Sequence, residues 1–133
     1  MKPSQVVSWL HFCFWSGAVL DLLAGITMLV PAAFSELNRP AVFQPGNDYR
    51  YAMGMGAPLM LAWTVLLFWA DRKPVERRDV LPMTLLVVAG EVAAQLWGIR
   101  AGFVPFRALL PTFGIQASLA LLYIFTYIHA RKS

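Results

Sequence analysis

Sulfur chemistry is nearly absent from this chain. It has one cysteine, Cys13, which excludes an intrachain disulfide and any CxxC redox or zinc motif. Charge is scarce as well: only 14% of the residues are Asp, Glu, Lys or Arg, against ~25% in an ordinary soluble domain. The net charge is +4, but Lys and Arg sit in short gaps between apolar blocks rather than along one face, so no nucleic-acid partner is expected. No Gly-rich phosphate loop, nucleophile elbow, HxxxH, HExxH or Ser/His/Asp set occurs. His11 and His129 stand at the same end of the first and last apolar blocks without further Cys or His ligands. They read as surface and packing residues, and neither a metal nor a cofactor is expected.

What the chain has instead is apolar length. It is 59% hydrophobic, with a mean hydropathy of +0.60, and 133 residues leave room for one domain. The apolar residues come in blocks of about 20, the length that a hydrocarbon core of ~30 Å requires. Four blocks, at about 6–30, 51–70, 80–99 and 109–129, predict an all-α membrane fold, an up-down-up-down bundle of four transmembrane helices in a single transmembrane domain. The first block is too long for the apolar stretch of a cleaved leader and contains Asp21, so it is expected to stay as a span.

Residues 31–50 form the sizeable loop, broken by Pro31, Pro40, Pro45 and Gly46, and long enough to lie across the mouth of the bundle. Pro31 to Leu37 predicts a short interfacial helix, and Asn47 or Asp48 is placed to cap the next span. Within that span Ala52 and Gly56 form a small-xxx-small pair for close helix packing, and Pro58 predicts a kink. The run DRKPVERRD, residues 71–79, reads as a solvated turn, with Asp79 as N-cap of the third span. Pro111 falls in the first turn of the fourth. Trp9, Phe12, Phe14 and Trp15 are expected to face lipid or the interface.

Four crossings put both termini and the 71–79 turn on one side. That side holds Lys2, Arg72, Lys73, Arg77, Arg78, Arg131 and Lys132; the other holds Arg39, Arg50, Arg100 and Arg107. By the positive-inside rule both termini are expected in the cytoplasm, which for a prokaryotic protein means the inner (cytoplasmic) membrane.

The polar residues inside the blocks carry the functional question. At ~1.5 Å rise per residue, Asp21 lies ~22 Å from the terminal side, Glu91 ~16 Å, Gln95 ~22 Å and Gln116 ~20 Å. They also share helix faces. His11, Phe14, Ala18, Asp21, Gly25 and Met28 make one seam; Thr84, Val88, Glu91, Gln95 and Gly98 make a second; Thr112, Gln116, Tyr123 and Tyr127 fall close to a third. The seams are expected to meet. An Asp at a helix centre costs ~2.5–3.5 kcal/mol, and each Leu, Ile, Phe or Val returns ~0.3–0.6. About twelve such residues give the first block roughly −5 kcal/mol, while about nine give the third roughly −4 against a Glu and a Gln. The third span therefore depends on its neighbours. These groups serve either as hydrogen-bonded glue or as the lining of a cavity, and two separate acids are more than glue needs.

The segment Tyr49 to Thr84, with its W-T-x-L-L-x-W-A-D-R-K-P-x-E-R stretch over residues 63–77, resembles a group of uncharacterised small prokaryotic four-helix integral membrane proteins. That resemblance implies the fold and brings no activity. Two further architectures are similar at the level of layout. Small multidrug-resistance transporters have four helices and a carboxylate in the first, which here would be Asp21; this chain departs from them in its long first loop, in Glu91 and in its charge bias. Sterol-binding and sterol-isomerising bundles of the EXPERA type set acids on several helices around an apolar pocket, without a local motif match here.

The leading expectation is an integral membrane protein, without catalytic residues, that binds a small hydrophobic or amphipathic ligand in an intramembrane cavity. Asp21 and Glu91 would supply charge or a shared proton, Gln95 and Gln116 would orient the ligand, and Trp63 would form a wall. The alternatives are a small proton-coupled transporter acting as a homodimer or larger oligomer, an accessory subunit of a membrane complex, and an isomerase-like acid/base enzyme on a lipidic substrate.

Overall fold

Helix α1 (Pro3–Leu29) starts on a proline, whose fixed φ and missing N–H suit a first helical position. The Gln5 side-chain oxygen Oε1 accepts the Lys2 backbone N–H at 3.0 Å. The computed structural model describes residues 2–132. It continues with α2 (Pro31–Asn38), α3 (Asn47–Asp71), α4 (Val80–Arg100) and α5 (Phe106–Arg131). Helices α1, α3, α4 and α5 are each long and apolar enough to cross a bilayer. They run up, down, up and down, with the short α2 inside the 31–50 segment, where the proline-led sequence predicts it.

The spans are longer than the apolar blocks. Helix α3 begins at Asn47 and α5 at Phe106, each several residues before its block. Hydropathy marks the part of a helix that meets hydrocarbon, whereas hydrogen bonding carries the helix on into the interface. One correction follows: Pro111 is the sixth residue of α5, not part of its first turn. Pro58 likewise lies inside α3 and cannot donate to the carbonyl of Gly54 one turn earlier.

The four spans form a ring with one loose side. Helix α1 packs closely along α3, α4 along α5, and α5 along α1, whereas α4 makes little backbone approach to α3. Gly17 is the close-approach point of the tight part. A Cβ there would run into the Tyr123 hydroxyl and press on the Leu67 side chain. Three spans therefore meet at a residue with no side chain. Gly25, two turns on, admits Leu61 in the same way. Of the small pair expected on α3, Gly56 lies against Met28, while Ala52 is exposed.

Around Gly17 the core is Val6, Leu10, Cys13, Phe14, Ala18, Leu67, Ala70, Leu81 and Tyr123. Phe14 is therefore a core residue, correcting its expected place on the lipid face; it shares the α1 seam, whereas Trp9, Phe12 and Trp15 keep exposed rings. The hydroxyl of Tyr123 donates to the Cys13 carbonyl at 2.9 Å, and Cys13 Sγ donates to Thr126 Oγ1 at 3.4 Å. Both bonds tie α5 to α1.

At the loop end α2 leaves α1 and reaches α5. Phe34, Phe43 and Tyr49 stack with ring centroids 5.2–5.5 Å apart. The Ala41 N–H donates to the Phe103 carbonyl at 2.9 Å, which joins this strap to the α4–α5 link.

Candidate functional site

Asp21 on α1 stands near Glu91 on α4, which in turn meets Gln116 on α5; Gln95 lies on α4 as well. Asp21, Glu91 and Gln116 thus come together at the common depth that the rise per residue expects. Gln116 is only 7% exposed, and its Nε2 donates to Glu91 Oε2 at 3.3 Å. Asp21 lies within electrostatic reach of both Glu91 and Tyr123. Gln95 stands one turn beyond Glu91 on the same face of α4. Asp21, Glu91 and Gln95 are all half-buried.

The layer is poorly satisfied. Asp21 Oδ2, Gln95 Oε1 and Gln116 Oε1 are buried atoms without a hydrogen-bond partner. A buried polar group left unpaired costs about 1–3 kcal/mol, so three in one layer are a large debt for a small bundle.

Trp63 is placed differently from the other four. Its Nε1–H donates to Thr84 Oγ1 at 3.1 Å, and Thr84 passes its own hydrogen to the Val80 carbonyl at 2.9 Å. Thr84 precedes Glu91 by seven residues, about 10 Å along α4, so Trp63 stands below the layer on the terminal side. The Trp63–Thr84 bond is the one hydrogen bond between α3 and α4 among the described residues. Beyond it, toward the loop end, the α3–α4 side is held by no such link.

Two clefts flank the bundle ends, and neither is lined by the polar layer. One of about 180 Å³ lies at the loop end among Met28, Leu29, Pro31, Tyr49, Arg50, Met53 and Gly54. The other, about 300 Å³, lies at the terminal end against Val7, His11 and the turn residues Arg72 to Glu76. Among the described residues no three His, Cys, Asp or Glu side chains are grouped to hold a metal ion.

The terminal end holds polar contacts that the sequence does not announce. Asp71 takes two partners from α1: His11 Nδ1 at one carboxylate oxygen, and the Trp15 Nε1–H at the other, 3.1 Å away. Arg77 donates to the Trp69 carbonyl and lies over the Trp69 ring, 3.5 Å from its centroid. Arg78 donates to the Ala130 carbonyl at 2.8 Å. Asp79 occupies the N-cap position of α4 but makes no side-chain cap; its carboxylate instead accepts the Tyr127 hydroxyl at 3.1 Å. Nor do Asn47 and Asp48 cap α3, which has Gly46 at its N-cap. The 71–79 run is thus a set of ties between helices as well as a turn.

No protein-family model matches the chain, and no curated protein and no solved structure matches it either.

Proposed function

We propose that this chain is an integral membrane protein that binds a small hydrophobic or amphipathic ligand at the Asp21/Glu91/Gln95/Gln116 layer. The four apolar spans are compatible with residence in a bilayer. The observation that carries the ligand is the set of three buried, unpartnered oxygens contributed by three helices to one layer. The loose α3–α4 side offers the way in: a guest enters from the lipid, above the Trp63–Thr84 bond. Asp21 and Glu91 supply charge, and Gln116, anchored on Glu91, presents its carbonyl oxygen to the guest. The Lys and Arg bias favours a prokaryotic inner membrane with both termini in the cytoplasm, and the Trp63–Arg77 stretch aligns the chain with the group of small four-helix proteins it resembles.

A second reading rests on the half-burial of Asp21, Glu91 and Gln95. A second membrane chain, whether another copy or a partner subunit, would cover them and complete either a transport path or a complex. The two readings separate in one experiment. The purified chain in lipid nanodiscs is titrated with amphiphiles while its size is followed. Ligand binding to a monomer, lost in Glu91→Gln, supports the first reading. Binding confined to an oligomer moves the site to the interface, and binding unaffected by Glu91→Gln removes the layer as the site.

A further inference from the structure

The unmet groups of the polar layer are all of one kind. Asp21 Oδ2, Gln95 Oε1 and Gln116 Oε1 are acceptors. The amide of Gln116 is oriented by its bond to Glu91: a carboxylate accepts, so the NH₂ faces Glu91 and the carbonyl oxygen is turned elsewhere. At 7% exposure that oxygen has no water to turn to. The nearest cationic side chains along α4 and α5 are exposed ones toward the loop end. Arg100 follows Gln95 by five residues and Arg107 precedes Gln116 by nine, about 7 and 13 Å by helix rise. The layer therefore gathers two carboxylates and two amide oxygens, and its donors are the Gln amides, the nearby Tyr123 hydroxyl being given to the Cys13 carbonyl.

From this we infer that the guest is a primary ammonium on an apolar tail, its three N–H groups taken by Asp21, Gln95 and Gln116. The inference rests on the reading of the layer as a ligand site. The unpartnered oxygens come from three different helices, α1, α4 and α5, and the three separate N–H donors of an ammonium can serve acceptors on different elements better than the planar fork of a guanidinium. The carboxylates offset the charge that would otherwise keep such a head out of hydrocarbon. The tail extends toward the α3–α4 side, where the two backbones do not approach closely.

Three eight-carbon probes test this at pH 7: octylammonium, octyltrimethylammonium and 1-octanol, each titrated into the full chain in nanodiscs. The second carries the charge without an N–H, and the third carries one donor without the charge. The expected result is octylammonium binding about tenfold or more tighter than either of the others, the scale of a charge-assisted hydrogen bond. Gln95→Leu removes an acceptor that holds nothing in the empty protein, so it tests the inference without a folding penalty. It should narrow the preference for octylammonium over octyltrimethylammonium, weakening octylammonium by the larger factor. Equal binding of the two cations, still lost in Glu91→Gln, overturns the donor inference and leaves the ligand site standing. Binding of all three probes that survives in the Asp21→Asn, Glu91→Gln double variant overturns the site itself.

Discussion

The terminal end and the polar layer use the same kinds of side chain to opposite effect. At the terminal end Asp71 satisfies both His11 and Trp15, Asp79 takes Tyr127, and Arg77 and Arg78 reach backbone carbonyls. One helical stretch away, three oxygens are buried with nothing to bind. Where polar groups serve to hold helices together they find partners. In the layer the same kinds of group stay unpartnered, which is what the proposed ligand would remedy.

The steepest break in that contrast is at the point where three spans meet. Gly17→Leu should displace Tyr123 from the Cys13 carbonyl and wedge α1 from α3, costing about 3 kcal/mol or more or preventing folding. Thermal unfolding in detergent, followed by tryptophan fluorescence, measures it; a stable Gly17→Leu protein would refute the close approach. Next is Asp71→Ala, which removes the acceptor for two partly exposed donors and should lower stability by about 0.5–1.5 kcal/mol in the same assay. Gln95→Leu should do the reverse, leaving the unliganded protein unchanged or up to about 2 kcal/mol more stable, because an unpaired buried oxygen is removed. If Gln95→Leu destabilises as much as Asp71→Ala, the two regions are alike and the layer is glue. The smallest effect belongs to the exposed Lys73–Glu76 pair: Glu76→Gln should shift the unfolding midpoint by no more than an exposed ion pair allows, under about 1 kcal/mol.

How much of this could be read from the residues divides along the same line. The four spans are legible because lipid demands long apolar blocks, and Val80–Arg100 coincides with its block almost to the residue. Starts such as Asn47 and Phe106 are not legible, since nothing in hydropathy reports a hydrogen bond formed outside hydrocarbon. Rise per residue alone brought Glu91 to Gln116 and set Asp21 within reach of Glu91. The role of Asp71 escaped because a run as charged as DRKPVERRD looks solvated, and its partners lie 60 and 56 residues back. Asp79 escaped because a local cap and a distant tyrosine compete for one carboxylate, and local pattern shows only the first. The loose α3–α4 side has no signature in either helix; it results from α4 choosing α5.

The strap over the loop end has a consequence for supply. Phe34, Phe43 and Tyr49 cluster together and Ala41 is bonded to Phe103, so the route proposed for the ligand is sideways, through the acyl chains. Occupancy would then track the visitor's mole fraction in the bilayer rather than its concentration in water, so a compound that partitions a thousandfold into lipid would meet this protein as if it were a thousand times more abundant.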